Sequence, residues 1–289
     1  MKPALAGAGL AVLYSAAISA ADGITKLVAS GYAAPQLFAI SSGLVVAMSL
    51  GAAKGRGQSL RIRARRAMAL RAGLTVAASI GFFQAFRLLP FADVFVFIAL
   101  MPLLSAAMSG PVLGERVRPL AWAALSVGAA GLLCLVPAGH VAPGAGHGWA
   151  LLAVLSGTGS LLLARLIGRD ERAPLAQVFW PNLAVMAVMG AALPFVWQPM
   201  PAADLGWILG YAGALFAARW LSVEALRLLP AHVVTPVMNL KFLWMVAIGW
   251  WGFGEIPAAG TWLGALLVIG SGLWLIADEA LPARRAVPA

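Results

Sequence analysis

Predominantly apolar runs follow one another along the chain near residues 4 to 27, 34 to 53, 68 to 88, 92 to 113, 119 to 137, 148 to 168, 175 to 197, 205 to 226, 232 to 253 and 259 to 277. A bilayer core about 30 Å thick is crossed by roughly 20 apolar residues in a helix. Each run is therefore of spanning length, and the sequence predicts an all-α integral membrane protein of ten transmembrane helices. Those spans use roughly 200 residues of a 289-residue chain, leaving only connections and tails. Composition agrees: 62% of residues are hydrophobic and 10% charged, against about 25% charged in soluble domains. The single Cys134 lies inside an apolar run, which excludes an intramolecular disulfide or a cysteine metal cluster.

The formal charge of +10 points to nucleic acid only if it gathers on a folded basic face, and here it alternates with the loops. With the N-terminus inside, the inner side holds Lys2, the group from Lys54 to Arg71, Arg116, Arg118, Arg165, Arg169, Arg172, Arg227, Arg284 and Arg285. The outer edge keeps only Lys26 and Arg87, while Arg219 and Lys241 fall within runs. Positive loops stay cytoplasmic, so both termini are predicted inside. The basic run from Arg61 to Arg66 reads as a topology determinant touching anionic lipid. The expected partners are the bilayer and a small-molecule cargo, not nucleic acid, with a second copy of the chain left open.

A shift of 140 residues lays Gln84-Ala85-Phe86-Arg87-Leu88-Leu89-Pro90 on Glu224-Ala225-Leu226-Arg227-Leu228-Leu229-Pro230. The same shift puts Gly114-Glu115 on Gly254-Glu255 and Trp122 on Trp262. The unit is thus five helices, residues 4–137 and 148–277, followed by a cytoplasmic tail, 278–289. Five is odd, so the second unit is inverted, as in secondary transporters that alternate about a midplane site.

These residues also resemble a family. Phe83-Gln84-Ala85-Phe86-Arg87-Leu88-Leu89-Pro90-Phe91-Ala92-Asp93, Met101-Pro102-Leu103 and Leu113-Gly114-Glu115-Arg116 are similar to the first half of an EamA-type member of the drug/metabolite transporter superfamily. Gly249 to Pro257, Leu263-Gly264-Ala265 and Gly270-Ser271-Gly272-Leu273 are similar to its second half, and Asp22 to Leu27 to its first helix. The resemblance implies ten helices in two inverted halves, a bacterial inner membrane and transport of small organic metabolites. Family cargoes range over amino acids, S-adenosylmethionine, riboflavin and amino-acid-derived metallophores, with both export and uptake represented. Two departures stand out. The second run reads Phe38-Ala39-Ile40-Ser41-Ser42 where relatives often carry an Arg, and the ninth reads Pro236-Val237-Met238-Asn239-Leu240-Lys241 where they often show Pro, Tyr and Gln.

Lys241 is the most informative residue. It lies nine residues beyond His232, about 13 Å along a helix, where a charge needs a wet cavity or a partner. Substrate contact is expected there because the proline-broken fourth and ninth runs would line a central cavity. Arg219, about 12 Å from the inner end of the eighth run, is the second candidate cation. Tyr14, Ser15 and Asn239 are further candidate contacts, although Asn239 falls on a different face from Lys241 in a regular helix. Arg87 with Glu255 outside and Arg227 with Glu115 inside sit as candidate gate pairs, with Asp22 and Asp93 at the outer level. Asp22 and Lys26 have the favourable helical order.

Catalytic motifs are absent. His140 and His147 lie in a Gly/Pro-rich outer loop without carboxylate or thiol neighbours, so no metal site is expected, and no cofactor. Ser156-Gly157-Thr158-Gly159-Ser160 falls inside a helix without a preceding strand, which argues against a phosphate loop and for close helix contact. The expectation is a transporter, not an enzyme, exporting an amino-acid-like or carboxylate-bearing compound. Uptake of a cofactor-like molecule is the alternative, and a non-transport membrane enzyme or assembly subunit the competing class.

Overall fold

The computed structural model describes residues 2–28, 31–88, 97–98, 100–115, 117–134, 144–253 and 259–280. Its helices are α1 (Lys2–Val28), α2 (Ala34–Gly55), α3 (Arg65–Leu88), α4 (Met101–Leu113), α5 (Pro119–Cys134), α6 (Ala145–Asp170), α7 (Pro174–Ala192), α8 (Ala202–Leu228), α9 (Ala231–Met238), α10 (Lys241–Phe253) and α11 (Ala259–Ala280). No strand occurs among the described residues. Ala34–Gly55, Arg65–Ala85, Ala145–Asp170 and Pro174–Phe195 are long and apolar enough to cross a membrane. Leu5–Ala21, Met101–Leu113 and Pro119–Gly131 are shorter apolar helices.

Breakers in the sequence set the helix ends. Pro35, Pro102 and Pro174 stand in the first turns of α2, α4 and α7, where a fixed φ helps and a missing N–H costs nothing. Gly114 ends α4 at φ 66°, and the Gly114 and Glu115 amides return to the Gly110 and Ser109 carbonyls. This closed turn redirects the chain and sets Glu115 beside α6. His147, expected in the outer loop, instead lies in the first turn of α6, where its Nδ1 accepts the Gly144 N–H at 3.1 Å.

The ninth run is not the single helix expected over 232 to 253. It breaks at Asn239-Leu240 into α9 and α10, three residues beyond Pro236, which brings no N–H to the ladder. The turn is held by three-residue steps, Leu240 N–H to Val237 at 3.1 Å and Phe242 N–H to Asn239 at 3.0 Å. The face assignment for Asn239 assumed a regular helix, so it does not apply across this break.

Helices pack most extensively as α3 on α6, α1 on α8, α2 on α7 and α5 on α11, with α4 against both α6 and α9. Small residues allow the closest approach. A Cβ on Gly81 of α3 would come within 3.0 Å of the Ala153 amide nitrogen and the Trp149 carbonyl oxygen of α6. One turn and a half away, Thr75 and Ser160 share a 2.8 Å hydrogen bond, so the small residues of 156–160 serve helix contact as expected. At the opposite end from Glu115, Gln36 and Gln198 exchange side-chain and backbone bonds at 2.6 and 2.9 Å. The Tyr32 hydroxyl there donates to Asp204 Oδ2 at 2.5 Å, and that bond to a carboxylate holds the phenol above its ordinary range. The tie is therefore intact at neutral pH and is lost only as pH rises past the phenol's raised value.

Gly81→Val should destabilise the protein by about 1 to 3 kcal/mol through overpacking against backbone, read as a lowered thermal midpoint in detergent. The α3–α6 contact as described fails if that midpoint is unchanged.

Candidate functional site

Among the described residues, three polar clusters bear on a candidate site. The first surrounds the α9–α10 break. Ser19 Oγ lies 2.8 Å from the Ser15 carbonyl of its own helix and 2.9 Å from the Lys241 carbonyl. Its one hydroxyl proton serves both acceptors in turn. Ser15 Oγ donates to the Val12 carbonyl at 2.6 Å and accepts the Trp244 indole N–H at 3.0 Å. Ser15 and Lys241, both expected at the site, are thus brought together, with Ser19 and Trp244 added. Lys241 is partly buried, its Nζ is 5.6 Å from the Phe242 ring centroid, and no carboxylate among the described residues pairs with it. Asn239 is buried in the break itself and lines a void of about 10 Å³, room for about one water, with Pro102 of α4 and Pro236 of α9.

The second cluster lies nearer the Glu115 end. Arg71 is only 7% exposed, and its Nη1 donates to both the Gln177 carbonyl at 2.7 Å and Gln177 Oε1 at 2.8 Å. The cause is visible in the sequence. Pro181, four residues beyond Gln177, has no N–H to give that carbonyl, and Arg71 supplies the missing donor. Arg219 is partly buried with its Nε enclosed, and Tyr211 and Tyr14 lie near it. Sequence reading counted Arg71 among the inner topology residues. The structure buries it instead.

The third cluster closes the same end. Glu115 accepts from Arg165 Nε at 2.6 Å and from Arg169 Nη2. Arg165 Nη1 reaches the Leu226 carbonyl at 2.7 Å and also the Leu229 carbonyl, while Arg169 Nη1 takes the Leu113 carbonyl at 2.6 Å. Leu226 stands four residues before Pro230, which again has no N–H to offer. One carboxylate and two guanidiniums thereby pin the ends of α4, α6 and α8. Arg227, the expected partner of Glu115, is held in this structure by Glu224 of its own helix at 2.9 Å. Arg165 and Arg169 were read only as inner-side charges, and for Arg165 the available signal was Pro230, four residues past Leu226. The side chains of Asp22 and Arg87, together with Asp93 and Glu255, lie outside the described residues. Among the described residues no group of His, Cys, Asp or Glu could hold a metal ion.

No family model matches the chain. It is 30% identical over 173 residues to a riboflavin transporter of Rhizobium johnstonii, covering 58% of this chain and 55% of that protein. It is 29% identical over 195 residues to a riboflavin transporter of Vibrio cholerae serotype O1, covering 64% and 62%. The chain thus spans less than two thirds of the length of these curated relatives. A solved structure titled "Crystal structure of protein" superposes with a TM-score of 0.79 at 19% identity, covering 97% of this chain and 99% of that one. That likeness establishes the fold over nearly the whole chain.

Glu115→Ala should lower stability by about 2 to 3 kcal/mol, since Arg165 would be left charged at 12% side-chain exposure while the more exposed Arg169 loses little. Thermal unfolding of the purified variant checks this. A change below about 0.5 kcal/mol would mean the latch carries no net stability.

Proposed function

We propose that the chain is a secondary transporter of the bacterial inner membrane that carries a small, flat, riboflavin-like molecule. In this reading ten spans form two inverted five-helix halves, residues 4–137 and 148–277, with both termini and the tail 278–289 in the cytoplasm. Exchange of the halves supports it. Swapping α1 with α6, α2 with α7, α3 with α8, α4 with the α9–α10 pair and α5 with α11 turns the α3–α6 contact into α8–α1. It also turns α4–α6 into α9–α1 and α10–α1, and returns α2–α7, α5–α11 and α4–α9 to themselves. The principal contacts survive this exchange, while α6–α8 and α7–α8 lack a comparable α1–α3 or α2–α3 counterpart, and equivalent principal contacts are what two alternating states require.

The observation that carries the cargo class is the helix break with Lys241, Asn239, Ser15, Ser19 and Trp244 around it, in a chain similar to two riboflavin transporters. A broken helix frees backbone polar groups, and an indole beside them suits a planar ring carrying carbonyl and N–H edges. The second reading is export of an amino-acid-like or carboxylate-bearing metabolite. It is favoured by the absence, among the described residues, of a carboxylate paired with Lys241. In either reading Glu115 with Arg165 and Arg169 is the inner latch, and Arg87 with Glu255, flanked by Asp22 and Asp93, is the outer one.

Labelled riboflavin uptake into riboflavin-requiring cells should depend on the protein. Lys241→Met should cut it about tenfold, some 1.4 kcal/mol of binding, without lowering the thermal midpoint. Failure of the unmodified protein to take up riboflavin, with efflux of a labelled amino acid instead, would replace the first reading by the second. Reporter fusions after Arg66 and Gly144 should report inside and outside respectively, and both on one side would refute the topology.

A further inference from the structure

We propose that the connection from α2 to α3, docked on the α6–α7 corner, forms a site for the headgroup of an aminophospholipid. Arg61, Arg63 and Arg172 would take its phosphate and Asp170 its ammonium. The connection is held in shape from several sides. Ile62 is buried in an apolar cluster with Met68 of α3, Ile167 of α6 and Ala176 of α7. Glu171 accepts the Arg63 N–H at 3.0 Å on one carboxylate oxygen and the Ala64 N–H at 3.1 Å on the other. The Trp180 indole of α7 donates to the Leu60 carbonyl at 2.9 Å, and the Arg61 amide donates to Ser59 Oγ at 3.1 Å. With Ile62 turned inward, its neighbours Arg61 and Arg63 are left exposed.

Between this connection and the corner lies an open cleft of about 450 Å³, lined by Arg61, Arg63, Asp170, Glu171 and Arg172. That volume falls in the range of about 300 to 1,000 Å³ typical of small-molecule sites. Glu171 is occupied by the two backbone amides. The other four charges are not: among the described residues none of them forms an ion pair, whereas Arg118, Arg165, Arg169 and Arg227 all do. Three cations and one carboxylate thus line a single cleft without pairing with each other. A diffuse basic patch attracts any anionic surface and has no use for Asp170. A ligand with a phosphate and an ammonium a few bonds apart answers both signs, guanidinium to phosphate and ammonium to carboxylate, through charge-assisted bonds. Trp180 points to a lipid as its source. Its N–H is tied to Leu60 while the residue is 41% exposed beside the cleft, and an amphipathic ring of this kind belongs at the headgroup level of a membrane.

The inference takes from the transporter reading only the side of the membrane, and its test involves neither riboflavin nor transport. The purified protein in detergent is titrated with short-chain phosphatidylethanolamine, phosphatidylglycerol and phosphatidylcholine, and the thermal midpoint is followed. Phosphatidylethanolamine should raise the midpoint saturably, with half-saturation about tenfold below that of the other two lipids. The glycerol headgroup brings no cation to Asp170, and the choline headgroup brings a cation without an N–H to donate. Asp170→Asn should erase this preference. Arg61→Gln combined with Arg63→Gln should weaken all three lipids by about tenfold, and Arg172→Gln should weaken them in the same direction. All four side chains are exposed, so the lipid-free midpoints should stay where they are. If the double variant loses its fold, Asp170→Asn and Arg172→Gln decide alone. Tighter binding of phosphatidylglycerol that Asp170→Asn leaves unchanged would reduce the cleft to a diffuse basic patch and overturn the proposal. Phosphoethanolamine or inorganic phosphate protecting as well as the lipid would make the ligand a soluble phosphate and overturn it too. So would the absence of saturable protection by phosphatidylethanolamine.

Discussion

Backbone carbonyls in an apolar surround must find donors, and prolines within or at the ends of helices take donors away. Pro181 leaves the Gln177 carbonyl open and Pro230 leaves that of Leu226 open, and an arginine from another helix fills each gap, Arg71 buried and Arg165 partly buried. Arg71 thereby joins α3 to α7, and Arg165 joins α6 to the end of α8. A guanidinium has five donors, so satisfying one carbonyl leaves several for other work. Arg165 spends the remainder on Glu115, and Arg71 keeps its Nε unspent. The cost of breaking helices thus places strong cations inside the bundle.

The same economy organises the α9–α10 break. Pro236 interrupts the ladder, Asn239 and Leu240 turn with three-residue bonds, and the Lys241 carbonyl is answered by Ser19 from α1. Side-chain hydroxyls satisfy these groups through short, exchangeable bonds, and Ser19 keeps its own-helix acceptor at 2.8 Å. The latch at Glu115 differs in kind. It joins three elements through charge-assisted bonds, at the end of the bundle where the helix termini are close.

Most of the helices were legible because apolar runs of spanning length admit one structure in a bilayer. The runs near 34 to 53, 148 to 168 and 175 to 197 coincide with α2, α6 and α7 within a few residues. The break at Asn239 was half-visible, since Pro236 marked an interruption without fixing where the chain would turn. Ser15 and Lys241 were each named as candidate contacts. Ser19 and Trp244 were not, because an apolar helix hides which serine or indole faces a freed carbonyl. The contacts of Arg71, Arg165 and Arg169 were missed for a different reason. Near the ends of runs, a basic residue that snorkels to the headgroups and one that turns inward to a carbonyl have the same sequence signature.

Hydropathy and the spacing of the apolar runs determined by themselves that this is a chain of apolar helices. Those properties depend on transfer from water and on local spacing, which a linear string carries. Which charges meet did not follow from the string. Glu115 was expected to pair with Arg227, the counterpart of Arg87 with Glu255, yet Arg165 and Arg169 hold it, because the Gly114 turn faces it toward α6 while Glu224 is one turn from Arg227 on the same helix. Pairing among long side chains depends on distances across helix contacts of a few ångströms, and only the packed bundle sets those.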